Sequence, residues 1–319
     1  MRRTLGCLLL IAVTPALLGA QATYQWTMAL PQGQGVFPAD WEPDLWPITV
    51  TPIRGPGGHL WIVDGHGVWR SEDATRWERV TDQVPWGQRT GVSVAWYQDK
   101  LWIFGGRIGG ALRNDVWFST DGVTWHQATA TTRWSGRVGA RALVFDDKLW
   151  LLGGDDGFPR GDVWYSSNGI NWYPTTQAAP WAAGQYPPAV VHGDRMFVIG
   201  GSLGTARNEV WASSDGREWA RVTGDASWTP RYGHGVASFL GRLWVIAGER
   251  RAGRWVADSW HSANGESWSR LDDAPWAARA VEHVAVFDGK LWLFAGRVGL
   301  PEDRGSWVSD IWYLDAATP

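Results

Sequence analysis

One sequence repeat constrains this chain more than any other feature. Each copy contains a short apolar run that ends in glycine, as in DKLWIFGG at 99–106 and DKLWLLGG at 147–154. The aromatic anchors of the six copies lie 41, 48, 47, 47 and 48 residues apart, at Trp61, Trp102, Trp150, Phe197, Trp244 and Trp292. A repeat of this length is one supersecondary unit that buries its apolar face against its neighbours.

Within each copy, further marks predict four strands. A second tryptophan follows the anchor, at Trp69, Trp117, Trp164, Trp211, Trp260 and Trp312, and in five copies a third comes eight residues later. Asp-Gly or Asn-Gly stands between them at 121–122, 168–169, 215–216 and 264–265. This dipeptide favours a two-residue hairpin turn between antiparallel strands. A short apolar segment before the anchor supplies the remaining strand, and no helical periodicity is present after residue 22.

These units predict an all-β fold, a six-bladed β-propeller of four-stranded antiparallel blades. The approximate blades are 46–80, 89–128, 137–175, 184–222, 231–271 and 279–314. The last copy has no fourth strand of its own, and residues 23–30 form an apolar segment without a repeat. We therefore expect the N-terminal strand to complete the last blade and close the ring, which leaves no long unpaired edge.

The first 22 residues have the pattern of a signal peptide: two arginines, an apolar stretch and the small residues of Ala20-Gln21-Ala22. Cleavage near Ala22 would leave residues 23–319 as a single exported domain, periplasmic or secreted. The only cysteine, Cys7, would be removed as well. The net charge of −3 argues against a nucleic-acid partner. No later apolar run is long enough for a membrane span, and we expect a monomer.

At these residues the chain resembles the kelch family. The resemblance rests on the paired glycines, the aromatic anchor, the fourth-strand tryptophan and Arg231-Tyr-Gly-His234, although Ala247 and Ala295 replace the first glycine in two copies. It implies a propeller like the central domain of galactose oxidase or the exported sialic acid mutarotases. No cofactor is predicted, and the copper-radical cofactor of galactose oxidase is excluded because the mature chain has no cysteine.

Candidate ligand-binding residues come from a repeated position and from departures from the repeat. Arginine opens the innermost strand of four copies, at Arg89, Arg137, Arg231 and Arg279, and its planar group suits carboxylates, phosphates and sulfates. The structural alternative is that these arginines pair with neighbouring backbone and acidic groups. Trp255 and Trp307 lie in the two longest loops between a second and a third strand. These loops are on the same face of the propeller as the arginines, and an indole ring there can stack on a sugar.

Catalytic candidates are confined to the last two copies. Glu282, His234 and His283 stand where the other copies have small or apolar residues, and a carboxylate with two imidazoles can perform acid–base chemistry. The alternative for His234 is a structural hydrogen bond to the adjacent blade.

The sequence leaves three functions open. The first is an exported kelch-like binding module that takes a carbohydrate, another small anionic molecule or a protein partner at its mouth, the end of the propeller where the innermost strands begin and these Arg and Trp residues lie. The second is a sugar mutarotase or epimerase that resembles the sialic acid mutarotases. The third is a purely structural surface protein.

Overall fold

The computed structural model describes residues 24–33, 52–64, 67–181, 186–202, 204–250, 254–271, 274–280, 283–298 and 306–316. These residues form β-structure with one short 3-10 turn, Pro56–Gly58, and contain no α-helix. Among them, no helix has the length and apolar character needed to cross a membrane. The predicted signal peptide, 1–22, lies outside the described residues, as do the predicted starts of blades 1 and 4 at residues 46 and 184, and these remain predictions.

The strands assemble into six four-stranded sheets, which confirms the predicted propeller. Blade 1 contains Ile53–Arg54 (β2), Leu60–Val63 (β3), Val68–Ser71 (β4) and Glu78–Thr81 (β5). Blade 2 contains Ser93–Tyr97 (β6), Lys100–Phe104 (β7), Val116–Ser119 (β10) and His126–Thr129 (β11), with the small hairpin Arg107–Ile108 (β8) and Ala111–Leu112 (β9) between its middle strands. Blade 3 contains Arg141–Phe145 (β12), Lys148–Leu152 (β13), Val163–Ser166 (β14) and Tyr173–Thr176 (β15).

The remaining blades follow the same order. Blade 4 contains Ala189–His192 (β16), Arg195–Ser202 (β17), Ala206–Ser213 (β18) and Ala220–Thr223 (β19). Blade 5 contains Gly235–Phe239 (β20), Arg242–Ile246 (β21), Ser259–Ser262 (β24) and Ser269–Arg270 (β25), with the hairpin Glu249–Arg250 (β22) and Arg254–Trp255 (β23). Blade 6 contains Val284–Phe287 (β26), Lys290–Val298 (β27), Ser306–Ala316 (β28) and Tyr24–Leu30 (β1).

The second strand of each blade is buried on both faces, which explains its continuous apolar run. In β7, Leu101 and Ile103 pack in the cluster shared with blade 1, whereas Trp102 and Phe104 pack in the cluster shared with blade 3. Similar clusters lie between the blades at each of the four remaining interfaces. The hydrophobic core is therefore a ring of six interfaces rather than one central mass.

The anchor indole and the turn glycine are parts of one contact. The anchor of blade 3, Trp150, donates its indole N–H to the Phe145 carbonyl at 2.9 Å. Its ring lies against Gly216 in the hairpin of blade 4, where a Cβ would overlap the ring. Glycine is needed here for its φ of +67° and also for this close approach.

The prediction of a two-residue turn at these hairpins is wrong. In blade 2, β10 ends at Ser119 and β11 begins at His126, so the loop is six residues long. Ser119 Oγ accepts a hydrogen bond from Gly122 N at 2.8 Å, and Asp121 Oδ1 accepts two from the following amides. These side-chain hydrogen bonds hold a wider loop than the dipeptide alone would form.

The N-terminal strand closes the ring as predicted. β1 pairs antiparallel with β28, from Tyr24 opposite Ala316 to Leu30 opposite Ile311. Trp26 is buried, packs edge-on against Trp276 with ring centroids 5.8 Å apart, and donates to Ser259 Oγ at 3.2 Å. The two ends of the described chain are thus joined by a strand pair within one blade.

Candidate functional site

The inner strands β2, β6, β12, β16, β20 and β26 surround a central channel. We call the end of the channel where these strands begin the mouth. The four repeated arginines lie at the mouth, and the guanidinium of each is almost fully buried. Arg231 illustrates the arrangement: its two terminal nitrogens donate to Asp258 Oδ1 and Oδ2 at 2.5 and 3.0 Å, and one also donates to the Ala247 carbonyl at 2.8 Å.

The same bidentate ion pair recurs in the three other blades that have the repeated arginine. The pairs are Arg89–Asp115, Arg137–Asp162 and Arg279–Asp310, each closed at 2.7 Å. The aspartate also accepts the indole N–H of the tryptophan two residues later, as in Asp162 with Trp164 at 2.7 Å. Sequence reasoning missed these partners, although blade 4, which has Gly184 in place of the arginine, also lacks the aspartate and has Glu209 instead.

Each ion pair places a positive guanidinium and a negative carboxylate inside the ring of blades. Burial opposes ionisation of Asp258, but the hydrogen bonds and charge of Arg231 outweigh burial and lower the pKa of that carboxyl. Asp310 has a lowered pKa for the same reason, with Arg279 as its partner. This geometry is that of the structural alternative for these arginines, because both terminal nitrogens of each guanidinium already donate to protein acceptors. Ligand binding by Arg89, Arg137, Arg231 and Arg279 remains a prediction.

The two predicted catalytic histidines are buried rather than open to solvent. His234 is 2% exposed, and its Nε2 lies 2.9 Å from the Ile199 carbonyl of the neighbouring blade. Burial and the nearby Arg231 charge lower the pKa of His234 from 6.5 to about 3, so the ring is neutral at physiological pH. His283 is also buried. Glu282 lies outside the described residues, and catalysis by these three residues remains a prediction.

A different repeat position forms the partly exposed rim of the mouth. It is the fifth residue after each anchor, directly after the glycine pair, and its chemistry changes from blade to blade. The described residues at this position are Arg107, Asp155, Ser202, Glu249 and Arg297. In four blades, the residue here forms a bridge with the first residue after the repeated arginine position, as Glu249 does with Tyr232. Comparing chemistry at equal repeat positions would have identified this rim from sequence.

The rim is divided by charge. Arg297 in blade 6 and Arg107 in blade 2 lie on the two blades that flank blade 1. Asp155 in blade 3 and Glu249 in blade 5 flank Ser202 in blade 4. One half of the rim is therefore cationic, and the opposite half offers carboxylates and a hydroxyl.

An aromatic and acid–base group lies on the rim between blades 5 and 6. Trp255, half-buried, is opposite Glu249 in the β22–β23 hairpin, and the Arg297 guanidinium carbon lies 5.8 Å from its ring centroid. Burial, together with the hydrogen bond to Glu249 and its charge, raises the pKa of Tyr232 to about 12. Tyr232 thus keeps its proton at neutral pH and is hydrogen-bonded to the Glu249 side chain.

The other predicted tryptophan, Trp307, lies opposite Arg297 in the backbone pairing of β27 and β28, and its side chain is outside the described part. The five periodic loop tryptophans are buried at 1–3% exposure, at Trp86, Trp134, Trp181, Trp228 and Trp276. They pack edge-on against fourth-strand tryptophans, as in Trp86 with Trp125 at 4.5 Å between ring centroids. Such burial identifies them as packing residues.

Within the described residues, no group of three His, Cys, Asp or Glu side chains is placed to hold a metal ion.

Comparison with known proteins supports the fold. No family model matches the chain, and no curated protein matches it. Among solved structures, that of YjhT is similar with a TM-score of 0.66 and 15% sequence identity, over 82% of this chain and 92% of that one. At this identity the similarity shows a shared propeller fold and nothing about activity.

Proposed function

We propose that this protein is an exported kelch-like propeller that binds a small acidic carbohydrate at the rim of the mouth. The supporting observation is the division of the rim, with Arg107 and Arg297 on one side and Asp155, Ser202 and Glu249 on the other. An acidic sugar has the same division, because its carboxylate suits a guanidinium and its hydroxyls suit carboxylate and hydroxyl acceptors. Trp255 provides a ring face for stacking beside Arg297.

Saturation-transfer proton NMR on the intact protein tests this proposal with matched sugars, galacturonic acid and galactose. We expect saturation transfer from the protein to galacturonic acid and little transfer to galactose. Arg297→Gln should weaken binding of the acid by about 10- to 100-fold, the value of a charge-assisted hydrogen bond. Trp255→Ala should weaken binding of the acid by about 3- to 10-fold.

The matched control is Arg217→Gln, at an exposed arginine in the outer hairpin of blade 4, which should leave binding unchanged. Equal transfer to acidic and neutral sugars would contradict the proposed selectivity, and absence of transfer to any sugar would contradict carbohydrate binding altogether.

A sugar mutarotase is the second candidate, favoured by the Tyr232–Glu249 pair. In mutarotation, a base removes the proton of the anomeric hydroxyl while an acid protonates the ring oxygen, so the ring opens and can close on either face. Glu249 would supply the base and Tyr232 the acid. The same NMR spectra report anomeric exchange: faster exchange that Tyr232→Phe abolishes without loss of binding would support the enzyme, and exchange at the buffer rate would support binding alone.

A further inference from the structure

The side chains that line the middle of the channel, below the mouth, are apolar, and we call this part the shaft. Each inner strand pairs with the second strand of its blade, so the residues opposite the six anchors form one tier of the channel wall. This tier consists of Ile53, Ala95, Leu143, Val190, Ala237 and Ala285. The next tier toward the mouth consists of Pro52, Val94, Ala142, Ala189, Val236 and Val284. All twelve line one cavity of about 490 Å³, and none of them has a polar side chain.

The tier at the far end of the shaft breaks this pattern. It consists of Arg54, Trp96, Val144, Val191, Ser238 and Val286, which also line the cavity. Val144 and Val286 are 39% and 42% exposed, although both belong to inner strands. Trp96 belongs to none of the repeated tryptophan positions, and Ser238 Oγ lies 2.9 Å from His192 Nδ1. Arg54 is exposed, and no carboxylate in the described part of the chain pairs with it.

We propose that this far end is a second ligand site, which takes the carboxylate of an unbranched aliphatic acid of about six to eight carbons. An apolar shaft about 7 Å deep, from two strand residues at ~3.3 Å each, accepts a hydrocarbon chain. The guanidinium at its entrance matches a carboxylate, which it can bind through two hydrogen bonds. Trp96 lines the cavity in the same tier, and its side chain packs against the cluster between blades 1 and 2.

The polar tier nearer the mouth limits how far the chain extends. Ser93 Oγ donates to the Ala140 carbonyl at 2.6 Å, and Arg141 Nε donates to the Ala189 carbonyl at 3.2 Å. Both hydrogen bonds join one blade to the next, so this tier serves the ring. The aliphatic site is therefore separate from the carbohydrate site proposed at the rim, and either proposal can fail without the other.

Isothermal titration of the intact protein with octanoate, hexanoate and 1-octanol tests the second site. Octanoate should bind, and hexanoate should bind about 15-fold more weakly, because each buried methylene contributes about fourfold. Arg54→Gln should weaken octanoate at least tenfold and leave 1-octanol unchanged, whereas Arg54→Lys should retain most of the octanoate affinity. Val286→Glu, which introduces a carboxylate in the tier of Arg54, should also weaken octanoate.

Two controls separate this site from others. Arg217→Gln removes an exposed arginine outside the channel and should have no effect. Trp255→Ala changes the rim and should leave octanoate binding intact. The proposal is overturned if octanoate does not bind, if affinity does not depend on chain length, if Arg54→Gln binds like the unaltered protein, or if Trp255→Ala removes octanoate binding.

Discussion

Buried charged and polar side chains at the mouth stabilise the ring of blades through specific partners. Each repeated arginine donates to both oxygens of an aspartate and to a backbone carbonyl, so its charge is compensated inside the protein. His234 needs no charged partner because its ring is neutral. It joins two blades through a hydrogen bond with the Ile199 carbonyl. The contacts of these residues are those expected for a structural role, and ligand binding by them stays a prediction.

The lowered pKa of His234 makes stability depend on pH. The unfolded chain takes up a proton near pH 6.5, whereas the folded protein does so only near pH 3. Stability is therefore fully present above pH 6.5 and falls as pH decreases toward 3, with a limiting slope of about 1.4 kcal/mol per pH unit.

Urea denaturation between pH 7 and 4.5 measures this effect. His234→Gln, which does not titrate, should show a weaker decrease in the free energy of unfolding than the unaltered protein over this range. His126→Gln, at an exposed histidine of β11, is the matched control and should leave the slope unchanged. If both variants behave alike, His234 is not the group responsible.

At the scale of the element, the hairpins between the third and fourth strands link consecutive blades. Gly216 combines a φ of +67° with close contact to the Trp150 ring. Gly193, in the turn between β16 and β17, has a φ of +58°, and a Cβ added there would have no atom within 4 Å. Comparing substitutions at the two glycines therefore separates the free-energy cost of the positive φ from the cost of steric overlap with the ring.

Alanine at these two positions should give different costs. Gly193→Ala should lower the free energy of unfolding by about 1 kcal/mol, from the positive φ alone. Gly216→Ala should cost about 1–3 kcal/mol more, because the indole must move within a packed interface. Chemical denaturation of both variants tests this difference, and equal costs would show that the Trp150 contact adjusts freely.

At the scale of the molecule, stability depends on closing the ring through β1. This strand covers β28, an eleven-residue strand that would otherwise present an open edge. Trp26 places β1 against Trp276 and Ser259, so a single side chain connects the N-terminal strand to the interface between blades 5 and 6.

Loss of this side chain should weaken the whole ring. Trp26→Ala should lower the free energy of unfolding by about 3–5 kcal/mol, as for other buried aromatic residues. Met28→Ala, in the same strand but 47% exposed, should change it by less than about 0.5 kcal/mol. Thermal unfolding followed by circular dichroism measures both, and a small effect of Trp26→Ala would mean that closure does not depend on this contact.

The repeat in the sequence was sufficient to predict the fold, including the number of blades and the closing strand, because apolar runs and turn residues act locally along the chain. It was insufficient for the candidate site. Arg279 meets an aspartate 31 residues away, and rim and channel residues become neighbours only through strand register. Burial then decides what each group can do: it encloses Arg231 and His234 within protein contacts, and it leaves Glu249, Arg297 and Arg54 at accessible positions. Such environments depend on six blades meeting around one axis, a property that no single repeat contains.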